Sequence, residues 1–221
     1  MTKEEVVLYK AVSNWDYNFE KDELAPSVYR EWWTEFYKLT WDEIYLLSDS
    51  LEVVFPKPWR TTHLLRDEPN SIFFDIRRTT PIETANEVVH DAFKDACTKI
   101  FEWEKENGKK AIWGAYKATK IDHLARIPEL SVQNIDVGGD RRSLNAISKQ
   151  HGPSWRMIIE MGKDKITGYA VYPGGQSGNP GSPHYNDFIE YWRTGKYYPI
   201  LFLESANEEN DRLISKQVWK K

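Results

Sequence analysis

Cysteine, long apolar segments and a strong charge of one sign are all scarce in this sequence of 221 residues. The single cysteine, Cys97, excludes an internal disulfide and any metal site built from several cysteines. No apolar run approaches the ~20 residues of a membrane-spanning helix, and Met1 to Glu5 contain no apolar core of a secretory signal. A net charge of -4 argues against a nucleic-acid binder. We therefore expect a chain that engages neither nucleic acid nor membrane.

Aromatic residues, by contrast, are abundant, and they are unevenly distributed. Ten residues are tryptophan, and thirteen of the first 60 are Phe, Trp or Tyr, whereas eleven of the 23 Gly and Pro residues lie between Gly152 and Pro183. This shift predicts an α+β fold with a mostly helical part at 1–110 and a part with strands, a Gly-rich loop and a C-terminal helix at 111–221. No Pro/Ser-rich linker separates the two, so we expect 1–221 to pack as a single unit.

Apolar residues at helical spacing predict a helix over Pro26–Leu39. A capping box formed by Thr40 and Glu43 then predicts a short helix that ends at Leu47. The aromatic residues on these helices suggest either a sugar-stacking platform or a core or interface wall. The core interpretation is favoured because Trp32 shares the apolar face of the first helix.

The longest predicted helix runs from Pro81 to about Asn107. Thr80 is the expected N-cap, Glu83 completes a capping box, and Gly108 supplies the left-handed stop. One apolar stripe follows its length, formed by Ile82, Ala85, Val89, Phe93, Ala96, Ile100 and Trp103.

The second part of the sequence has strand-like runs and turn residues. We predict the following elements, in chain order: a β-hairpin of Ser154–Met161 and Ile166–Tyr172, a loop over Pro173–Pro183, a helix over Tyr185–Thr194, an extended run over Tyr197–Leu203, and a C-terminal helix opened by a capping box of Ser205 and Glu208.

The glycine loop does not fit known phosphate-binding patterns. No lysine follows its glycines as a P-loop requires, and the dinucleotide spacing is absent. Ser177 also lacks the spacing of a serine nucleophile elbow. A structural loop, whose glycines permit positive φ and close backbone approach, is the favoured interpretation.

Four other features carry only weak signals of chemistry. Glu87 and His90 have the spacing of a di-iron ligand pair, but no second pair exists. His151 is better placed to hold a turn, and Cys97 lies on the long helix as a buried thiol rather than a nucleophile. Thr2, once Met1 is removed, has the chemistry of an N-terminal nucleophile, but a polar helix-like run follows it. We therefore assign no catalytic, cofactor or metal residue.

Four motifs in the second part nevertheless form a specific series. They are Val137–Ala146 (VGGDRRSLNA), His151–Met157 (HGPSWRM), Tyr172–Tyr185 (YPGGQSGNPGSPHY) and Trp192–Pro199 (WRTGKYYP). In this order they strongly resemble the C-terminal end of the penicillin acylase (penicillin amidase) family of N-terminal nucleophile hydrolases. Asn14-Trp15-Asp16 and the Trp-rich helix after it resemble the same family more loosely.

The resemblance implies a four-layer αββα sandwich, of which this chain forms part. It also implies cleavage of N-acyl amide bonds by an N-terminal nucleophile and an oxyanion hole. The family's nucleophile, oxyanion asparagine and calcium site all lie upstream of the matching segment, so none is assigned to a position here. Asn145 and Asn179 belong to the matching motifs without a catalytic role. Calcium is expected only in a full-length family protein.

The resemblance leads to the expectation that this chain is inactive alone. Its expected partner is the missing N-terminal portion or a second chain that bears the nucleophile, or else the chain self-associates, because an incomplete sandwich leaves strand edges and apolar faces exposed. The alternative is a non-catalytic binding or structural module that uses the Trp-rich surface. Relatives are often exported or periplasmic, but this sequence does not define a location.

Overall fold

The computed structural model describes residues 1–203, 205, 207–217 and 219, and the chain divides into two compact units. The first unit comprises Met1–Gly152 and the second Pro153–Lys221. The change in composition near residue 110 is therefore not the boundary between units. That the two units pack as one remains a prediction.

The first unit is mainly helical and contains one small sheet. Its helices are α1 (Lys3–Ser13), α2 (Ala25–Thr40), α3 (Asp42–Ser48), α4 (Pro58–Asp67), α5 (Ala85–Asn107) and α6 (Trp113–Lys117). Short 3-10 turns lie at Ile72–Phe74 and Pro128–Leu130, and β1 (Thr119–Ile121) pairs antiparallel with β2 (Val132–Ile135). Helices α2 and α5 pack side by side, and both contribute buried apolar side chains to the two core clusters of this unit.

The long helix α5 begins later than predicted, while its end is as predicted. Thr84, not Thr80, is the N-cap, and Glu87 completes the capping box. Glu83 is unavailable because its carboxylate accepts hydrogen bonds from the Ile76 N–H (2.9 Å) and the Thr79 hydroxyl (2.6 Å). Gly108 ends the helix in the left-handed conformation at φ 64°, as predicted.

The buried face of α5 is also rotated from the predicted stripe. Ile82 lies before the helix and is 80% exposed, whereas Val88 and Cys97, which lie outside the predicted stripe, are fully buried. Ala92 and Ala96 lie on the buried face, where their small side chains permit the close approach of α2.

The predicted capping box between Thr40 and Glu43 is absent. Thr40 is the last residue of α2, and its hydroxyl donates to the Phe36 carbonyl at 2.7 Å. Helix α3 forms nevertheless. Its N-cap residue is Trp41, whose side chain makes no capping hydrogen bond.

Much of the aromatic opening of the chain packs into a core, although Tyr17 and Trp59 are 80% and 67% exposed. Phe36 is fully buried in the cluster between α2 and α5, and Trp41 donates its indole N–H to the buried Thr61 hydroxyl at 2.9 Å. Trp32 donates to the Val89 carbonyl of α5 at 3.1 Å. Because these indole groups are engaged with the protein, the sugar-platform interpretation loses its support.

The second unit is built on a three-stranded antiparallel sheet. The predicted hairpin is confirmed as β3 (Arg156–Met161) and β4 (Ile166–Val171), which pair over all six residues, and β5 (Tyr198–Ile200) adds to the other side of β4. Helix α7 (Phe188–Arg193) is shorter than the predicted 185–194, because the backbone N–H of Phe188 bonds to Gly174 in the glycine loop.

The predicted C-terminal helix does not form in the described residues 205, 207–217 and 219, which contain only turns and irregular backbone. Glu208 donates its N–H to the Ser205 carbonyl at 3.2 Å in a single turn. Residues 207–212 are polar or charged throughout, so a helix there has no apolar face to bury and its nucleation cost is not offset. Glu204, Ala206, Val218, Lys220 and Lys221 lie outside the described residues.

The two units together confirm a mixed α+β architecture. None of the described helices combines the length and the apolar character that crossing a bilayer requires.

Candidate functional site

The Val137–Ala146 motif folds into a loop whose glycines lie against the chain segment after α1. Gly139 donates its N–H to the Phe19 carbonyl at 2.7 Å and adopts φ 79°, which favours glycine. A Cβ on Gly138 would lie only 2.7 Å from the same carbonyl oxygen. Both glycines are therefore required by close backbone packing.

A buried lysine holds the other side of this loop. Lys117 in α6 donates from Nζ to the carbonyls of Gly138 (2.8 Å) and Gly139 (2.9 Å), and its ammonium lies 5.3 Å from the Trp113 ring centroid. Trp113 donates its indole N–H to Gly139 at 2.8 Å. Burial lowers the pKa of Lys117 to about 7, and the nearby Asp136 opposes this only in part. Near neutral pH the amine is therefore partly uncharged, and its two N–H groups match the two carbonyls.

Asp140 connects the same loop to α2. Its carboxylate is buried and forms an ion pair with Arg30. The second carboxylate oxygen accepts the N–H of Arg142 at 2.8 Å, and the Ser143 hydroxyl donates to the Asp140 carbonyl at 2.7 Å. Burial and the positive charges of Arg142 and Arg141 lower the pKa of Arg30. Both carboxylate oxygens of Asp140 are therefore engaged within the protein.

The Asn14-Trp15-Asp16 motif lies near this loop. Trp15 donates its indole N–H to the Asn18 carbonyl at 2.7 Å, and its ring contacts Phe19 edge-on, with centroids 5.1 Å apart. Phe19 in turn contacts the Trp113 ring at 5.4 Å. The structure thereby brings together two motifs about 120 residues apart in sequence, a link that no local pattern predicts.

In the second unit, residues 153–157 of the HGPSWRM motif meet Trp192–Pro199 around one buried arginine. Arg156 donates from Nη1 to the Trp192 carbonyl at 2.7 Å, and its guanidinium lies 5.0 Å from the Trp192 ring centroid. Trp192 donates its indole N–H to Pro153 at 3.0 Å. Burial lowers the pKa of Arg156.

The glycine loop is tied to its own far end rather than open around a ligand. Ser177 donates its N–H to the His184 carbonyl at 3.0 Å, and the His184 ring lies 2.9 Å from the Asp187 carboxylate. A Cβ on Gly175 would overlap the His184 carbonyl oxygen. The structural interpretation of this loop therefore agrees with its contacts.

We expect Gly175→Ala to lower the free energy of unfolding by about 2 kcal/mol, because the added methyl overlaps backbone that cannot move aside. Gly178→Ala is the matched control: a Cβ there has no atom within 4 Å, so its change should stay within about 0.5 kcal/mol. Urea unfolding of both variants measures the difference. Equal stabilities would show that the loop does not constrain Gly175.

Structural positions are occupied by four of the residues that carry weak signals of chemistry: Thr2, Glu87, Cys97 and His151. Thr2 caps α1, accepting the Glu5 N–H at 3.1 Å. Glu87 caps α5, and burial raises the pKa of the Cys97 thiol to about 11, which disfavours the reactive thiolate. His151 accepts the Ser148 N–H on its carbonyl at 2.7 Å and so holds a turn.

Within the described residues, no group of three or more His, Cys, Asp or Glu side chains is placed to hold a metal ion. That no residue here is catalytic remains a prediction.

In this α+β chain, side chains of the motifs hold separate backbone segments together through hydrogen bonds. The model of the penicillin amidase family matches residues 2–209, nearly the whole chain. The chain belongs to the penicillin amidase family.

Curated relatives are similar in sequence to shorter segments of this chain. The acyl-homoserine lactone acylase QuiP of Pseudomonas aeruginosa is 30% identical over 115 residues, which cover 46% of this chain and 13% of that protein. The enzyme of the same name from Pseudomonas syringae pv. tomato is 39% identical over 81 residues, covering 33% of this chain and 10% of that protein. The match thus spans only a small part of each relative.

Among solved structures, the thermostable penicillin G acylase from Alcaligenes faecalis aligns with 99% of this chain and 44% of its own chain. The sequence identity is 14% and the TM-score 0.44.

Proposed function

We propose that this chain forms the C-terminal part of an amidohydrolase that cleaves N-acyl amide bonds, and that the nucleophile belongs to a different segment or chain. The observation that carries the proposal is the family match over residues 2–209, within which the motif residues hold structural contacts. The small share of each relative that the match covers also supports it.

The proposed chemistry needs groups that the partner supplies. An N-terminal Ser, Thr or Cys attacks the amide carbonyl while its own α-amine accepts the proton. The amine product then leaves, and water hydrolyses the acyl-enzyme to the carboxylic acid. The role proposed for this chain is to hold the surrounding fold, so that the nucleophile and the oxyanion donors keep their geometry.

The substrates to try first follow from the names of the family and of the curated relatives. They are penicillins and acyl-homoserine lactones, since the family is named penicillin amidase and the relatives are named acyl-homoserine lactone acylase. The proposed partner is the N-terminal portion or a second chain that carries the nucleophile.

We expect the purified chain to release no free amine from penicillin G or N-acyl homoserine lactones. The physical reason is that Thr2, the residue with the chemistry of an N-terminal nucleophile, is engaged in a capping box, where its own N–H donates to Glu5 at 2.7 Å. Amine release can be followed with fluorescamine after long incubation.

The control for this assay is Thr2→Ala, which should leave the background rate unchanged. Turnover by the unaltered chain that is lost in Thr2→Ala would contradict the proposal and make Thr2 the nucleophile. Turnover that survives in Thr2→Ala would also contradict it, because a different residue of this chain would then be catalytic.

A further inference from the structure

Two tyrosines of the second unit are stacked ring against ring. Tyr191 in α7 and Tyr198 in β5 have ring centroids 4.1 Å apart, and their ring planes are only 16° from parallel. Phe188 packs on Tyr198 as well, with centroids 4.5 Å apart. Because Phe188 and Tyr191 are three residues apart on α7, they share one face of that helix and both contact the Tyr198 ring.

The backbone on both sides of this tyrosine pair is fixed. After α7 the chain reverses at Gly195, which adopts φ 71°, and the Lys196 N–H donates to the Tyr191 carbonyl at 2.8 Å. Strand pairing then holds Tyr198, which lies opposite Ala170 of β4. The fold itself therefore keeps the two rings in contact.

The hydroxyl ends of the two rings also lie in one neighbourhood. Burial raises the pKa of Tyr198, and the Tyr191 phenol and the Asp187 carboxylate raise it further. In nearly parallel rings with neighbouring hydroxyl groups, the ring carbons beside those groups are neighbours too. Both side chains are only half-buried, so the pair is accessible at the surface.

We propose that Tyr191 and Tyr198 form a site of oxidative modification, at which a haem peroxidase and hydrogen peroxide join them as an intramolecular dityrosine. Each phenol loses one electron and one proton and becomes a phenoxyl radical, whose unpaired electron is shared with the ring carbons beside the oxygen. One carbon–carbon bond forms between the rings. The hydrogen on each bonded carbon then passes to solvent while each oxygen regains a proton. In total, the protein loses two hydrogen atoms, and they reduce one hydrogen peroxide to two water molecules.

Proximity favours coupling within this pair over coupling between molecules. Radicals on separate molecules must first meet, whereas two rings held 4.1 Å apart react as parts of one molecule. The new bond ties α7 to β5, an edge strand of only three residues.

The test is treatment of the dilute, purified full chain with a haem peroxidase and hydrogen peroxide, followed by tryptic digestion and mass spectrometry. Trypsin cuts after lysine and arginine, so the two tyrosines fall in separate peptides, 166–193 and 197–212. We expect a species with the summed mass of these peptides less two hydrogen atoms. It should come from protein that migrates as a single chain of 26.0 kDa and shows dityrosine fluorescence.

Conservative variants identify the residues that are joined. Tyr191→Phe and Tyr198→Phe should each lower the yield of the joined peptide at least about tenfold, because phenylalanine keeps the stacked ring but cannot form a phenoxyl radical. Tyr197→Phe is the matched control: it removes a hydroxyl from the same peptide, one residue from the stacked ring, and should leave the yield unchanged. Circular dichroism confirms that each variant is folded.

Three results would overturn the proposal. The first is the absence of the joined peptide from the single-chain fraction of the unaltered protein, including the case in which every cross-link lies between copies. The second is a yield that Tyr191→Phe or Tyr198→Phe leaves unchanged. The third is a loss in Tyr197→Phe, which would assign the bond to that residue. None of these results depends on hydrolase activity, so the proposal and the proposed function can fail separately.

Discussion

Replacing Arg30 by methionine is expected to lower the free energy of unfolding by about 3 to 5 kcal/mol. The reason lies in its partner, Asp140, which is only 4% exposed and pairs with Arg30 across 110 residues of sequence. Methionine keeps the bulk of the side chain but removes the charge, so the carboxylate stays buried with the backbone N–H of Arg142 as its remaining described partner. The cost is that of an uncompensated buried charge rather than of a lost surface contact.

Urea unfolding at pH 7 measures this effect, and Arg141→Met is the control. Arg141 neighbours the same loop but is exposed, so its loss should change stability by no more than about 0.5 kcal/mol. The double variant Arg30→Met with Asp140→Asn should recover part of the loss, because a neutral amide is less costly to bury. A loss below about 1 kcal/mol for Arg30→Met would show that the ion pair does not hold the loop.

The second large effect concerns pH and Lys117. Its pKa in the folded chain is about 7, against an ordinary value of 10.5, so between these values the unfolded chain binds one more proton than the folded chain. Stability from this group therefore rises as pH rises through that window, by about 3 kcal/mol between pH 7 and pH 10. Lys117→Met removes this contribution. The free energy of unfolding of the unaltered chain minus that of the variant should therefore increase by about 3 kcal/mol from pH 7 to pH 10.

The measurement is urea unfolding of both proteins at pH 7, 8, 9 and 10. The difference between their free energies of unfolding is compared, because the contributions of titratable groups common to both proteins cancel in it. At pH 10 the variant should be the less stable protein, since the Gly138 carbonyl then loses its described donor. Lys149→Met, at an exposed position, is the control for loss of a lysine and should change the stability at pH 7 by no more than about 0.5 kcal/mol. A flat difference for Lys117→Met would mean that the amine is not desolvated in the folded chain.

Several elements of the fold follow from local sequence alone. The β3–β4 hairpin is specified by two β-rich runs joined by Gly162-Lys163-Asp164-Lys165, and α2 by apolar spacing after Pro26. The end of α5 is specified by Gly108, since few other residues adopt positive φ without strain. The four motif segments, in their order, also indicate the family, which the match over residues 2–209 confirms.

Other features depend on partners that are distant in sequence. Glu83 and Glu87 could each complete a capping box at the start of α5. Glu87 does so because the Glu83 carboxylate already accepts hydrogen bonds from Ile76 and Thr79. A run such as 205–208 resembles a helix start, yet no described helix follows because the charged residues after it have nothing to pack against.

Local sequence therefore specifies the family, the α+β class and the elements whose start and stop signals lie within a few residues of one another. Which polar groups are buried depends on tertiary packing. Lys117, Asp140 and Arg156 are indistinguishable from surface charges in the sequence. Their roles arise only because packing removes them from water and places acceptors, a counter-charge or an aromatic ring around each of them.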